Sequence, residues 1–193
     1  MNICIYGASS NLIDKSYITA TEDLGEKLGK KGHTLVYGGG ASGLMGAAAR
    51  GFVKGGAEVI GVAPSFFQVD GVLFEQCSEF IYTETMRERK KIMEDRADAF
   101  IMTPGGVGTY DEFFEMLTLK QLGQHKKPIA VFNVNGFYDK LTEMLQNAVE
   151  QKFMTKECMD LAPVFDNAEE LIEYLENYTD GNYDFSVLKK VDN

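Results

Sequence analysis

A chain of 193 residues with 45% apolar and 25% charged side chains suits one well-packed domain and is too ordinary in composition to be globally disordered. Its 19 cationic residues against 29 carboxylates leave a net charge of −10, which argues against a long nucleic-acid polymer as partner, although a local pocket of backbone amides can still hold a small anion. No apolar run approaches the roughly 18 residues of a membrane span, and Met1-Asn2-Ile3-Cys4-Ile5-Tyr6-Gly7 lacks the basic head of a signal peptide, so a cytoplasmic protein with no membrane partner is expected.

Short β-rich runs alternate with helical stretches along the chain. Asn2 to Tyr6 reads as a strand ending in the small-residue loop Gly7-Ala8-Ser9-Ser10, and Lys15 to Lys30 as a helix stopped at Gly32. His33 to Tyr37 and Glu58 to Ala63 read as strands around a helix from Gly43 to Lys54. Glu79 to Tyr82 reads as a strand before a helix from Met86 to Arg96. Ala99 to Met102 and Pro128 to Phe132 follow as strands, each trailed by a helix. Runs this apolar along their whole length are buried on both faces, as in a parallel sheet between helix layers. The order implies an α/β fold: a Rossmann-like, doubly wound parallel sheet in a single domain, residues 1–178, with a polar tail over 179–193. Cys4, Cys77 and Cys158 show no paired spacing and read as reduced packing residues, and two histidines, His33 and His125, argue against a His-rich metal site. His125, in Gln124-His125-Lys126-Lys127, reads as a solvated loop residue.

In doubly wound sheets ligands bind where strand ends lead into helix N-termini, and two glycine-rich loops stand there. Gly38, Gly40 and Gly43 fit the dinucleotide spacing G-x-G-x-x-G, but the acid that would hold a ribose is misplaced. Glu58 has the right separation yet stands at the start of its strand, and the far end reads Ala63-Pro64-Ser65. A tight turn packing helix on sheet explains the same glycines.

The second loop, Thr103-Pro104-Gly105-Gly106-Val107-Gly108-Thr109-Tyr110-Asp111-Glu112, opens a helix near Thr109 and suits a phosphate. No lysine follows the glycines, so this is not a Walker loop. Thr109-x-x-Glu112 has the spacing of a capping box, which leaves Glu112 open between helix cap and catalyst, with Glu115 one turn further on. Phe113, Phe114, Met116 and Leu117 read as core. A third constellation, Thr85-Met86-Arg87-Glu88-Arg89-Lys90-Lys91, combines another capping box, Thr85-x-x-Glu88, with four cations where the helix dipole disfavours them. A solvated charged face with a Lys90–Glu94 pair is one explanation, and an anionic ligand or buried carboxylate facing Arg89 or Arg87 is the other.

Together, GGGASGLMG, MRERK and PGGVGTYDE resemble the Lonely Guy (LOG) family over roughly residues 2 to 177. Its members are cytokinin riboside 5′-monophosphate phosphoribohydrolases, with relatives that also hydrolyse AMP. The resemblance implies hydrolysis of the N-glycosidic bond of an adenosine 5′-monophosphate, with or without an N6 substituent, to free base and ribose 5-phosphate. It implies Arg89 and Glu112 as catalytic residues, and Gly105, Gly106, Gly108 and Thr109 as the phosphate-binding turn. Further substrate contacts are expected from Lys90, Met86, Gly39, Gly40, Ser9 and Glu115, with Phe66 or Phe67 as candidates to line a slot for the base. No metal or cofactor is expected, and a homodimer is implied. The chain carries Arg87 where members typically carry histidine, and Tyr6-Gly7-Ala8-Ser9-Ser10 where a C-G-S-S-like turn is common. The competing reading from another class is a non-catalytic carrier of a nucleotide or phosphorylated cofactor. The lysine decarboxylase label sometimes attached to such sequences would need a pyridoxal phosphate lysine, and no arrangement of that kind is evident.

Overall fold

The computed structural model describes residues 1–179; of the expected tail over 179–193, all but Thr179 lies outside the described residues. The chain runs β1 (Asn2–Tyr6), α1 (Lys15–Lys30), β2 (Thr34–Tyr37), α2 (Gly43–Lys54), β3 (Val59–Pro64), β4 (Glu79–Thr83), α3 (Met86–Arg96), β5 (Ala99–Met102) and α4 (Val107–Gln121). It continues through β6 (Ile129–Phe132), α5 (Asp139–Glu150), α6 (Glu157–Asp160), β7 (Val164–Phe165) and α7 (Ala168–Glu176). Among the described residues the seven strands form one sheet in the order β4-β3-β2-β1-β5-β6-β7, every neighbouring pair parallel. This is the doubly wound α/β arrangement that the alternating pattern implies.

Strand periodicity sorts the core into two layers. Ile3 and Ile5, Leu35 and Tyr37, and Ala99 and Ile101 face Leu24 and Leu28 of α1, Phe52 of α2 and Leu171 of α7. Cys4 and Tyr6, and Phe100 and Met102, face Met93 of α3, Phe113, Met116 and Leu117 of α4, and Tyr138. The core reading of Phe113, Met116 and Leu117 holds, Phe114 packs half-buried against them, and Cys4 and Cys158 are buried thiols.

The strand order reverses between β1 and β5, which pair from Ile3 with Ala99 to Tyr6 with Met102. A crevice opens beyond their carboxyl ends, where both chains turn away into helices on opposite faces. Two details at the sheet differ from the sequence reading. β7 is a two-residue edge strand with too little pattern to announce itself. His125 is buried: its Nε2 lies 2.9 Å from the Met116 carbonyl and its Nδ1 accepts from Lys127 N–H, so burial holds it below the usual histidine range.

Candidate active site

The crevice is built by three loops. After β1, Ala8 N–H donates to the Pro104 carbonyl at 3.0 Å, tying this loop to the one that follows β5. Thr103 closes the same seam, its hydroxyl donating to the Tyr6 carbonyl at 2.8 Å. From behind, the fully buried Tyr138 donates its phenol to the Thr103 carbonyl at 2.7 Å. The position of the second glycine loop is therefore set by β1 and by Tyr138, a residue that carried no sequence signal because its partner is 35 residues away.

The two glycine loops end differently. In the first, Gly43 N–H donates to Asn11 Oδ1 at 2.8 Å, and Leu44 and Met45 N–H both donate to the Ala8 carbonyl, at 2.8 and 3.2 Å. Gly43 itself has φ +58°, and a Cβ there would stand 2.4 Å from the Ala8 carbonyl oxygen. The start of α2 is thus occupied by the chain's own oxygens. Behind it, the segment between β3 and β4 pairs antiparallel with the loop, Leu73 opposite Gly40, with Ala41 N–H on the Val72 carbonyl. The dinucleotide spacing of Gly38, Gly40 and Gly43 serves this close packing.

The second loop leaves its helix open. α4 begins at Val107 with Gly106 as N-cap, two residues earlier than the sequence suggests, and no side chain caps it. Gly106, Val107 and Gly108 are exposed, and a Cβ at Gly106 or Gly108 would meet nothing within 4 Å. Thr109 lies inside the first turn, buried, its side chain folded against Gly105 so closely that a Cβ there would stand 2.1 Å from its hydroxyl. The backbone amides at the start of α4 face the crevice with the positive end of the helix dipole behind them.

The earlier start also corrects the capping-box reading of Glu112. Thr109 is not the cap, and Glu112 stands in the second turn, where its Oε1 accepts from Arg89 Nη1 at 2.6 Å. Arg89 is 6% exposed and is held twice, since its Nε donates to the Val62 carbonyl within β3. Gly38 makes the space: a Cβ there would lie 1.9 Å from the other guanidinium nitrogen. Burial pushes the Glu112 carboxyl above the ordinary glutamate range, and the Arg89 charge pulls it part of the way back. A carboxylate beside a guanidinium, both almost dry, can stabilise a cation developing nearby or orient a water.

Thr85 and Glu88 do form the expected capping box, which starts α3 and aims Arg89 inward. Lys90 does not pair with Glu94. Its Nζ lies 3.0 Å from Asp111 and 2.8 Å from Glu115, so these residues join α3 to α4. Met86 is exposed at the first turn of α3, Ser9 is exposed on the loop after β1, and Gly39 (φ +75°) and Gly40 line the closed loop. Arg87 is exposed, and Phe66 and Phe67 stand exposed on the turn after β3. Among the described residues no group of three or more His, Cys, Asp or Glu is arranged to hold a metal ion, and no helix is long and apolar enough to cross a membrane.

A family model described as "Possible lysine decarboxylase" matches residues 45–175. A cytokinin riboside 5′-monophosphate phosphoribohydrolase of Arabidopsis thaliana is 37% identical over 183 residues, covering 95% of this chain and 86% of that protein. One of Oryza sativa subsp. japonica is 40% identical over 176 residues, covering 91% and 73%. Among solved structures, the molybdenum cofactor binding protein of Rippkaea orientalis superimposes with a TM-score of 0.69 at 20% identity, over 91% of this chain and 94% of that one. The molybdenum cofactor carrier protein of Chlamydomonas reinhardtii gives 0.68 at 19%, over 91% and 95%. At such identities these two structures share the fold alone.

Proposed function

The chain belongs to the Lonely Guy (LOG) family, and on that premise we propose that it hydrolyses the N-glycosidic bond of adenosine 5′-monophosphates, plain or N6-substituted, to free base and ribose 5-phosphate. The observation that carries the reading is the Arg89–Glu112 pair, buried one turn and a half along the helix whose open N-terminus offers the anion site. The 5′-phosphate docks on the amides of Gly106, Val107 and Gly108, with Gly105 and Thr109 shaping the turn, and this fixes the ribose over Glu112. Glu112 stabilises the positive charge that grows on the ribose ring and directs a water to C1′. The C1′–nitrogen bond breaks with its electrons on the base, water oxygen bonds to C1′, and the water proton ends on the departing base. Arg89 holds the Glu112 carboxylate in place through the cycle. The remainder of the nucleotide meets the exposed Met86 and Ser9, while Gly39, buried against Phe80, contributes only the shape of the closed loop.

Pyridoxal chemistry does not fit these residues. A Schiff-base lysine must give up its proton, and Lys90, beside the pair, is pushed the other way by Glu115 and Asp111. The protein as a whole we take to act as a cytoplasmic homodimer, with residues 1–178 as the nucleotide-binding unit.

The test is a product assay with AMP, isopentenyladenosine 5′-monophosphate and adenosine in parallel. Base released from the monophosphates and not from adenosine is the expected result. Tight binding of intact nucleotide with no base released overturns the reaction and makes the protein a carrier.

A further inference from the structure

The seam between α3 and α4 holds more charge than the catalytic pair needs. Consecutive cations on α3, Arg89 and Lys90, meet three carboxylates on α4, Asp111, Glu112 and Glu115. Arg89 takes Glu112, and the Lys90 ammonium sits between Asp111 Oδ2 at 3.0 Å and Glu115 Oε2 at 2.8 Å. The Lys90 side chain is only 19% exposed, against 60% for Asp111 and 41% for Glu115, so the lysine is the inner member of its cluster. Asp111 and Glu115 are one helical turn apart and share Lys90, so without that cation two like charges would lie together on the side of α4 next to Glu112. To reach an anion at the start of α4, Lys90 would have to release both partners.

From this arrangement we propose that Lys90 is a positioning residue for the reaction: it neutralises Asp111 and Glu115 and so keeps Glu112 charged and seated on Arg89, without gripping the substrate itself. The inference rests on the reading that Glu112 works as a carboxylate. The electrostatics run in the required directions, with Asp111 raising and Lys90 lowering the proton affinity of Glu112 after the larger effects of burial and Arg89. The other titratable groups facing Glu112 are Cys4 and Tyr6 of β1, and burial pushes both upward, leaving them neutral at working pH. Beyond burial, the charges that act on Glu112 are therefore Arg89, Asp111 and Lys90.

The test is a titration of the Glu112 carboxyl by NMR in protein labelled with 13C at glutamate side chains, the signal being identified by its loss in Glu112→Gln. Lys90→Met is expected to raise the midpoint by roughly half a unit to one pH unit. Lys90→Arg returns it to the wild-type value, and Asp111→Asn, at an exposed residue, moves it the opposite way. The acidic limb of kcat/KM for base release moves in step with the midpoint in each variant, while KM for the monophosphate stays within about twofold. An unmoved midpoint in Lys90→Met and Asp111→Asn, with KM raised about tenfold in Lys90→Met, overturns the proposal and makes Lys90 a substrate ligand. If the wild-type protein releases no base, the proposed reaction fails, and the titration alone still decides whether Lys90 sets the charge of Glu112.

Discussion

The two glycine-rich loops occupy equivalent places, each after a strand at the centre of the sheet and each opening a helix, yet they do opposite work. At Gly38–Gly43 the first amides of α2 are taken by Asn11 and Ala8, and the glycines allow backbone to lie against backbone. At Gly105–Gly108 the first amides of α4 face an open crevice, and Gly106 and Gly108 have nothing near their missing side chains. A glycine motif before a helix is therefore ambiguous until the partners of the helix amides are known. The loop that lacks internal acceptors is the one with electrostatic capacity left for a ligand.

The largest effect that would break this contrast lies on the open side. Glu112→Gln should lower turnover by about a thousandfold or more with the fold retained, because an amide cannot meet positive charge in the transition state. The same variant has a signature in stability. Because burial raises the Glu112 proton affinity in the folded protein, the unfolded chain gives up this proton first as pH rises. The contribution is fully present below the ordinary glutamate value and is lost as pH climbs through the raised one. Melting curves between pH 4 and 7.5 should show Glu112→Gln gaining on the wild type as pH increases.

On the closed side the same small change should act on the fold. Gly43→Ala puts a side chain against the Ala8 carbonyl at a positive φ, and should cost about 3 kcal/mol in denaturant unfolding. Gly38→Ala separates stability from chemistry, since its Cβ displaces the Arg89 guanidinium; turnover should fall about a hundredfold from the misplaced pair. Asn11→Ala removes the side chain that occupies the Gly43 amide, and should cost about 1 kcal/mol without changing KM. Gly108→Ala is the counterpart of Gly43→Ala at the open loop. It should be neutral or stabilise by up to about 1 kcal/mol, while the added methyl at the mouth of the anion site raises KM several-fold.

Much of this architecture is legible along the chain. α1 and α2 run over the residues their periodicity and stop signals indicate, because a capping Asp14 and the terminating turns act locally. The pairing of Arg89 with an acid is also visible as a possibility, since cations in a first turn need a reason to be there. What local signals miss are partners set by the sheet. Thr109-x-x-Glu112 satisfies a capping rule, but Gly106 ends its strand-side turn earlier and starts the helix, so the glutamate falls in the second turn facing Arg89. Gly43 looks free until Asn11, 32 residues before it, is brought to its amide by β1. Lys90 looks committed to Glu94 on its own helix, whereas packing α3 against α4 offers it two closer carboxylates.

Which helix start receives the phosphate decides between the two loops. Ribose 5-phosphate titrated into 15N-labelled protein, with backbone amides followed by NMR, reads both loops at once. Large shifts at Gly106, Val107 and Gly108, with Gly43 and Leu44 unmoved, are the predicted result. Shifts centred on Gly43 and Leu44, with residues 106–108 unmoved, would contradict it and return the nucleotide to the first loop.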